Sequence, residues 1–422
     1  MRDTPSPSIV AGPPWPAEAL ASAPEALQRM LLSVIADERA RLFRRPVPPE
    51  EWRTWNNSTR LDEDGLGFDS LARLDLIARL TRLFQLQRSG VEDYLVVRPQ
   101  IGDWVEIVAT GLRHTPAEAT LSFETSGSTG VPKSCVHPIT HLAREIASLA
   151  PLLSGVRRIV ALVPPHHLYG FQFTVLGPTL DHRPVQDARG EGLAGVITRA
   201  QPGDALVATP YQWTALARTG VRFGKGIGGI VSAGACPPPL WAILEHAGLE
   251  RLLEIYGATE TAGIGWRTAA KAPFTLFQHL DRAGEQSLCH DGTALDLPDR
   301  LQWSSPRHFE LLGRRDDAIK IGGTNVFPAH IAAQIATWEG VAACAVRPDS
   351  AAVEARLKAF VVPKNPDLLS DAKACQSLEA ALRAQASQAL SVPERPVSYR
   401  FGTALPVSET GKPMDWPTLR EE

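Results

Sequence analysis

The chain has 422 residues, of which 44% are hydrophobic and 21% are charged, a composition typical of a folded globular protein with two or three domains. Its formal net charge of −3 argues against nucleic acid or an anionic membrane as the main partner. The five scattered cysteines form no C-x-x-C pair, which excludes a disulfide framework or zinc site and indicates a reduced, cytoplasmic protein. No apolar run approaches the ~20 residues of a membrane span.

The first 113 residues are predicted to be mostly helical. Residues 1–18 contain five prolines, so we expect a flexible leader over 1–23. Leucines and isoleucines recur at helical spacing from Pro24 to Arg44, and further apolar helices are predicted over 70–86 and 101–108. We therefore assign a helical N-terminal region to 24–113.

Beyond residue 114, short apolar runs alternate with helical segments, which indicates a layered α/β domain over 114–315. The predicted buried strands are 158–164, 203–209 and 228–232, and the predicted helices are 139–149, 212–219 and 239–247. A smaller α+β domain is predicted over 316–422. Its strands are expected at 318–321, 342–346 and 359–362, and its helices at 329–338 and 377–390.

The stretch from Phe123 to Ser134, F-E-T-S-G-S-T-G-V-P-K-S, has the chemistry of a loop that wraps a polyphosphate. Its glycines allow close backbone approach, its hydroxyl groups donate hydrogen bonds and its lysine supplies a positive charge. Pro132 before the lysine rules out a Walker A loop. The alternative is an ordinary Gly/Ser turn with an exposed lysine. The candidate phosphate-binding residues are Thr125, Ser126, Gly127, Ser128, Thr129, Gly130 and Lys133.

Four separated motifs together resemble the adenylate-forming enzymes, a family that includes acyl- and aryl-CoA ligases and the adenylation domains of peptide synthetases. They are T-S-G-S-T-G-V-P-K at 125–133, Y-G-A-T-E at 256–260, G-R-R-D-D-A-I-K at 313–320 and L-P-V-S-E-T-G-K at 405–412. The resemblance covers roughly 118–422. It implies a large α/β adenylation domain followed by a smaller, mobile C-terminal domain.

The same resemblance implies a two-step reaction that uses ATP and Mg²⁺. A carboxylate attacks the α-phosphate to give an acyl-adenylate and pyrophosphate, and a thiol then displaces AMP. The resemblance assigns Glu260 to Mg²⁺, Thr259 to the α-phosphate and Lys412 to the charge that develops at the bond being formed. Because both reactants are anionic, charge neutralisation and in-line positioning matter more than covalent catalysis.

Ribose recognition needs a carboxylate, and family spacing from Arg314 leads to Asp299, with Asp296 as the alternative. Arg314 itself is expected at the ribose or phosphate, and Asp316 occupies the hinge position. The alternative for this segment is a solvated charge run. Further residues implied at the adenosine and at the thiol tunnel are Ala235, Tyr256, Gly257, Gly322 and Gly323.

The motif P-H-H-L-Y-G-F at 165–171 resembles the family's acid-pocket motif, in which His167 and Tyr169 match the H-x-Y of hydroxycinnamate-type ligases. The absence of aspartate from 164 to 180 disfavours amino-acid substrates, and Leu168 disfavours 2,3-dihydroxybenzoate. His167 is given a catalytic, gating role; its alternative is a structural histidine. The remaining predicted pocket residues are apolar or small and suit a flat ring: Phe173, Ser232, Ala233, Gly257, Gly263 and Ile264.

The N-terminal D-S-L at 69–71 resembles the acyl carrier proteins, which carry phosphopantetheine on the serine of this tripeptide. Ser70 is thus a possible attachment site; the alternatives are a helix cap and an N-terminal layer of the enzyme. The short region resembles that of hydroxybenzoate ligases from aryl-polyene pigment pathways. This favours loading of a hydroxybenzoate onto a carrier-protein phosphopantetheine, with free CoA as the alternative acceptor. A catalytically silent adenylate-binding scaffold is the rival of another class.

Overall fold

The computed structural model describes residues 15–114, 116–125, 133–234, 236–297, 299–314, 319–322, 324–349, 355–406 and 415–416. Helices come first, a large mixed sheet with covering helices follows, and a smaller α+β unit ends the chain. The predicted α/β fold class is confirmed. None of the described helices combines the length and the apolar character that a membrane crossing requires.

Between residue 15 and the first strand, the described residues form six α-helices: α1 (Pro16–Ala21), α2 (Pro24–Phe43), α3 (Pro49–Trp52), α4 (Ser70–Phe84), α5 (Asp93–Val97) and α6 (Ile101–His114). The prediction of a flexible leader is wrong for α1. Pro16 suits the first turn of a helix because its missing N–H would have no partner there, and Ala17 and Leu20 are fully buried.

The N-terminal helices share one hydrophobic core with the α/β domain that follows them. Leu31 of α2 and Trp104 of α6 are fully buried in the same cluster as Phe123 and Phe171, which lie far along the chain. The rings of Phe123 and Phe171 are 5.6 Å apart. This shared packing favours an N-terminal layer of the enzyme over an independent carrier domain.

The central unit contains most of the strands and the helices that cover them. In chain order these are β1 (Thr120–Thr125), β2 (Lys133–Pro138), α7 (Ile139–Leu149), β3 (Arg158–Ala161), α8 (Leu168–Phe171), α9 (Gly177–Leu180), β4 (Val185–Asp187), α10 (Leu193–Arg199), β5 (Asp204–Ala208), α11 (Pro210–Arg218), β6 (Gly228–Val231), α12 (Pro238–His246), β7 (Arg251–Ala258), β8 (Ala262–Arg267), β9 (Phe274–Leu276), β10 (Asp281–Arg282), β11 (Ser287–His290), β12 (Thr293–Asp296), β13 (Asp299–Ser305) and β14 (His308–Arg314). A π-helical turn, Gln172–Leu176, joins α8 to α9.

Nine of these strands form one sheet in the order β13-β14-β9-β8-β7-β6-β5-β3-β4. The strands from β4 to β7 in this order pair in parallel, whereas β7, β8, β9, β14 and β13 pair antiparallel. Strand β5 is buried at every position, as expected for a parallel strand covered on both faces. The carboxyl ends of β3, β5, β6 and β7 therefore meet at one edge, where open α/β sheets bind ligands.

The C-terminal unit contains β15 (Ile319–Ile321), β16 (Thr324–Val326), α13 (Pro328–Ala336), β17 (Val341–Pro348), β18 (Leu357–Pro363), α14 (Ala372–Ala389) and β19 (Pro396–Phe401). β18 pairs antiparallel with β17 and parallel with β19. Lys358 on β18 is buried and forms an ion pair with Asp415 at 2.9 Å. This unit has its own hydrophobic cluster, as expected for the separate α+β domain that the sequence predicts.

Trp104 tests whether the N-terminal layer and the enzyme core are one structure. Trp104→Ala removes a fully buried ring and the hydrogen bond from its Nε1 to the Arg98 carbonyl at 2.6 Å. We expect a loss of about 3–5 kcal/mol and inactivation of the whole enzyme at a temperature several degrees lower. The measurement is residual ATP–pyrophosphate exchange after heating.

The matched control is Leu71→Ala, because Leu71 on α4 is 71% exposed. Inactivation of Trp104→Ala at the same temperature as the wild-type protein would show that the helices form a separable domain.

Candidate active site

The carboxyl edge of the parallel strands gathers the loops that carry most of the predicted site. β3 leads to His166 and His167, β6 leads to Ser232 and Ala233, and β7 leads directly into the turn at Thr259. Because the strands are paired in register, these loops are neighbours although they are far apart in sequence.

The predicted ribose carboxylate lies beside the Y-G-A-T-E motif. The hydroxyl of Tyr256 donates to Oδ2 of Asp299 at 2.6 Å. Asp299 is paired with Arg314 in the β13–β14 ladder, so the backbones of these predicted adenosine-binding residues are adjacent. The alternative carboxylate, Asp296, is exposed on the separate β10–β11–β12 sheet. The geometry therefore favours Asp299 over Asp296.

His137, which the sequence analysis missed, connects the strand that follows the phosphate loop to the Y-G-A-T-E turn. Its Nε2 lies 2.7 Å from the carbonyl oxygen of Thr259, so this nitrogen must carry the proton and donate it. Burial lowers the pKa of His137, which keeps the ring neutral at pH 7. His137 follows Lys133 by four residues on β2, so one strand carries both the predicted phosphate-binding lysine and the side chain that contacts Thr259.

The turn between β7 and β8 requires a glycine at the predicted position 257. A Cβ at Gly257 would lie 2.4 Å from the carbonyl oxygen of Ala262, closer than any real contact. Ala262 itself has a positive φ of 59°, and the β7–β8 pairing shifts register at Tyr256 and Gly257. The turn that presents Thr259 and Glu260 is therefore fixed by backbone sterics.

The aromatic part of the predicted acid pocket is held by the sheet itself. The Tyr169 hydroxyl donates to the carbonyls of Ile230 at 2.8 Å and Ala208 at 3.2 Å, and burial raises its pKa well above the ordinary value. Its ring makes an edge contact with Phe173 at 5.5 Å. Because its hydroxyl is bonded to backbone, Tyr169 can offer a substrate only its ring.

His166 and His167 have different environments. His167 precedes α8 and is accessible to solvent, although the surrounding protein lowers its pKa. His166 is buried, and its Nδ1 lies 2.8 Å from the hydroxyl of Ser33 on α2, which also accepts from Arg189 at 2.6 Å. His167 is thus the accessible member, as its predicted gating role requires, and His166 ties the pocket loop to the N-terminal layer.

The predicted pocket positions Ser232, Ala233, Gly263 and Ile264 lie on the β6 loop and on β8. Ser232 and Ile264 are buried. Ala233 has a positive φ of 66°, unusual for a residue with a Cβ, and such strain is concentrated at functional sites. The burial of Ser232 and Ile264 and the backbone conformation of Ala233 agree with their predicted place in the lining of the acid pocket.

A buried carboxyl group that the sequence analysis missed stands behind Gly263. Glu145 on α7 accepts a hydrogen bond from the Gly263 N–H through Oε2 at 2.9 Å, and a Cβ at Gly263 would lie 2.0 Å from Oε1. Within the described part of the chain, Oε1 of Glu145 and Nε2 of Gln172 make no hydrogen bond of good geometry, although the Gln172 amide lies near enough to Glu145 to oppose the rise of its pKa. Burial raises the pKa of Glu145 to about 7.

Some predicted residues lie outside the described part of the chain: Ser126, Gly127, Ser128, Thr129, Gly130, Ala235, Asp316, Gly323 and Lys412. Thr125 is described through its backbone, which pairs with Lys133. Glu260 is half-buried in the turn after β7, and Gly322 has a positive φ of 58° between β15 and β16. Ser70 is exposed at the start of α4, where Asp69 caps the helix by accepting from the Ala72 N–H at 2.8 Å. The roles of all these residues remain predictions.

The predicted ribose carboxylate, Asp299, and the predicted aromatic pocket at Tyr169 thus lie on one mixed sheet. The AMP-binding enzyme family matches residues 115–291. The chain is 42% identical over 401 residues to a 4-coumarate–CoA ligase of Rhodobacter capsulatus, covering 92% of this chain and all of that protein. A 4-coumarate–CoA ligase of Halorhodospira halophila is 38% identical over 394 residues, covering 89% of this chain and 98% of that protein.

The chain belongs to the AMP-binding family of adenylate-forming enzymes, and the prediction of an AMP-forming acid–thiol ligase is confirmed. Solved structures agree on the fold. An o-succinylbenzoate–CoA synthetase of Bacillus subtilis superposes with a TM-score of 0.55 at 19% identity, covering 69% of this chain and 67% of that one. An amide bond synthetase of Marinactinospora thermotolerans gives the same TM-score at 17% identity, with the same coverage of both chains.

The His137 contact generates a prediction about positioning. His137→Ala removes the donor to Thr259 and should lower kcat/KM for adenylation about 10²-fold, because small misplacements of reacting groups have effects of this size. His137→Gln retains an N–H donor and should recover a large part of the rate. Steady-state pyrophosphate exchange with both variants checks this. Equal rates for His137→Ala and wild type would contradict the assignment.

Proposed function

We propose that the protein activates a hydroxylated aromatic acid of the 4-coumarate class as its acyl-adenylate and transfers the acyl group to the thiol of CoA. The observation that carries this proposal is the hydrogen bond between Tyr256 and Asp299 at the same sheet edge as the Tyr169 pocket. This hydrogen bond holds the predicted ribose carboxylate, Asp299, on the same sheet as the predicted aromatic pocket. The relatives from Rhodobacter capsulatus and Halorhodospira halophila are named 4-coumarate–CoA ligases, which supports 4-coumarate as the type of acid and CoA as the acceptor.

In the first step the residues act by charge and position. Lys133 and the glycine-rich loop hold the pyrophosphate that leaves, while Glu260 supplies a carboxylate oxygen of the kind that Mg²⁺ prefers. Thr259, whose carbonyl is bonded by His137, would contact the α-phosphate, and Asp299, which accepts from Tyr256, would accept from the ribose hydroxyls. Lys412 stabilises the charge between the attacking carboxylate and the α-phosphate.

The acceptor is the point on which this proposal departs from the carrier-protein prediction. The two 4-coumarate–CoA ligase relatives described above match about nine-tenths of this chain, so each match extends into the N-terminal region of 113 residues. Those helices are packed into the enzyme core here, so Ser70 lies on a structural layer rather than on a tethered carrier. These observations favour free CoA, and a carrier-bound phosphopantetheine remains the alternative acceptor.

The pocket chemistry favours a phenolic acid. Oε1 of Glu145 can accept a hydrogen bond and Nε2 of the neighbouring Gln172 can donate one, and neither atom makes a hydrogen bond of good geometry with a described residue. A phenol hydroxyl is one donor and one acceptor, so it complements this pair. Because Gly263 has no side chain, the Glu145 carboxylate can lie directly against its backbone at the predicted pocket wall. A 4-hydroxyl at the far end of a flat acid is therefore the proposed specificity group.

Lys412 provides the test of the adenylation step. Lys412→Ala should reduce ATP–pyrophosphate exchange by about 10²- to 10³-fold, the usual effect of removing one preorganised donor. Wild-type protein should exchange pyrophosphate with 4-coumarate and then form a thioester with CoA, measured by mass spectrometry. Thioester formation only with a phosphopantetheinylated carrier would overturn the choice of CoA. No exchange with any benzoate, cinnamate or fatty acid would favour the silent scaffold.

Glu145 provides the test of substrate choice. Glu145→Leu removes the phenol acceptor and should lower kcat/KM for 4-coumarate by about 10- to 100-fold, the range for hydrogen bonds to charged groups. Activity with cinnamate, which lacks the hydroxyl, should not fall. Glu145→Gln keeps an acceptor and should fall between wild type and Glu145→Leu. An equal loss with both acids would assign Glu145 to folding instead of recognition.

A further inference from the structure

A cluster of histidines lies between the first turn of α7 and the β11–β12 turn, and neither the nucleotide site nor the acid pocket uses it. His141 is on α7, His290 ends β11 and Asp291 follows it in the turn. The His141 and His290 rings are 4.1 Å apart, and His279 lies next to them with its ring 5.2 Å from that of His290. We propose that His141, His290 and Asp291 form a binding site for a divalent first-row transition metal ion such as Zn²⁺.

The spacing of the donor atoms fits such an ion. Oδ2 of Asp291 is 3.6 Å from Nε2 of His141 and 3.9 Å from Nε2 of His290, and donor atoms of all three residues lie within 4.8 Å of one another. A tetrahedral ion with ligands at ~2.0–2.1 Å separates its donors by roughly 3.3–3.4 Å. Side-chain adjustments of a few tenths of an ångström to about 1.5 Å would complete the three-ligand set.

Unpaired nitrogens are the second observation that points to a ligand. Nε2 of His290 and Nδ1 of His279 are buried without a hydrogen-bond partner among the residues that the structure describes. Buried polar atoms nearly always have partners, so two such nitrogens in one cluster require an explanation. A metal ion bound to His290 accounts for the first. His279 is then an adjacent imidazole that can complete the coordination after a ring rotation.

The donor set also selects the class of metal. Two imidazoles and one carboxylate suit zinc, cobalt, nickel or copper, whereas Mg²⁺ prefers oxygen ligands. The Mg²⁺ that accompanies ATP would therefore not compete for this site.

Arg144 is the group that opposes metal binding. It lies one turn after His141 and contacts Oδ2 of Asp291 at 2.7 Å. A metal ion must displace this guanidinium from that oxygen or share the carboxylate with it. Removal of the arginine should therefore tighten binding, a response that a merely structural ion pair would not give.

The experiment uses tag-free, chelator-treated full-length protein. Zn²⁺ alone is titrated against a chromophoric chelator, and Co²⁺ binding is followed by its visible absorption. We expect one equivalent of Zn²⁺ and the intense Co²⁺ bands of four- or five-coordinate geometry. His290→Ala and Asp291→Asn should each weaken Zn²⁺ binding at least about tenfold, the lower end of the range seen even for indirect ligand contacts. Arg144→Ala should strengthen it.

His246→Ala is the matched control. This substitution also removes one imidazole, but His246 is exposed on α12, away from the cluster. Asp291→Asn is the conservative variant: the residue is exposed and has a positive φ of 47°, which asparagine accepts. Pyrophosphate exchange by each variant reports folding independently. Equal Zn²⁺ affinity in wild type, His290→Ala and Asp291→Asn, or a Co²⁺ spectrum identical to that of the aqua ion, would overturn the proposal.

Discussion

The in-register pairing of β3, β5, β6 and β7 is the constraint on which both halves of the active site depend. Ala161 pairs with Val207, Ala208 with Val231, and Val231 with Glu254, so the strands end at nearly the same level. Tyr169 adds a clamp across this edge, because one hydroxyl donates to carbonyls of both β5 and β6. A slip of one residue in any pair would reverse the inward and outward positions and separate the acid pocket from the nucleotide loops.

The N-terminal helices act on that edge from outside the sheet. Ser33 of α2 bonds His166, the neighbour of the accessible His167, and also accepts from Arg189, whose guanidinium pairs with Asp187 at 2.6 Å. Three segments distant in sequence are thereby fixed by one hydroxyl. A resemblance of residues 24–113 to carrier proteins concerned a tripeptide and helix spacing, which many helical layers share. The burial of Trp104 with Phe123 and Phe171 is the more informative observation, since a carrier domain must bury its core within itself.

Local patterns predicted the elements well and the long-range contacts only in part. The helix predicted over 139–149 is observed as Ile139–Leu149, because its apolar spacing and its preceding proline are local signals. Asp299 was reached by spacing alone and does lie beside Tyr256. Glu145, His137 and His166 were missed because their partners are remote: Glu145 meets Gly263 118 positions away, and His137 meets Thr259 122 positions away. The sequence around a glutamate within a helix does not show whether its side chain faces the protein interior.

The environment of Glu145 explains why a substrate hydroxyl would matter so much there. In the unfolded chain this carboxyl has its ordinary pKa of 4.5, whereas burial raises it to about 7 in the fold. Between these pH values the folded protein holds a proton that the unfolded chain releases, so the contribution of Glu145 to stability decreases as pH rises through the window. Above pH 7 the carboxylate is ionised and buried, and Oε1 makes no hydrogen bond of good geometry, an unfavourable state that a donor can relieve. A phenol bound at that oxygen therefore gains more than a hydrogen bond at the surface would give, and the gain should be larger above pH 7, where the Glu145 carboxyl is ionised.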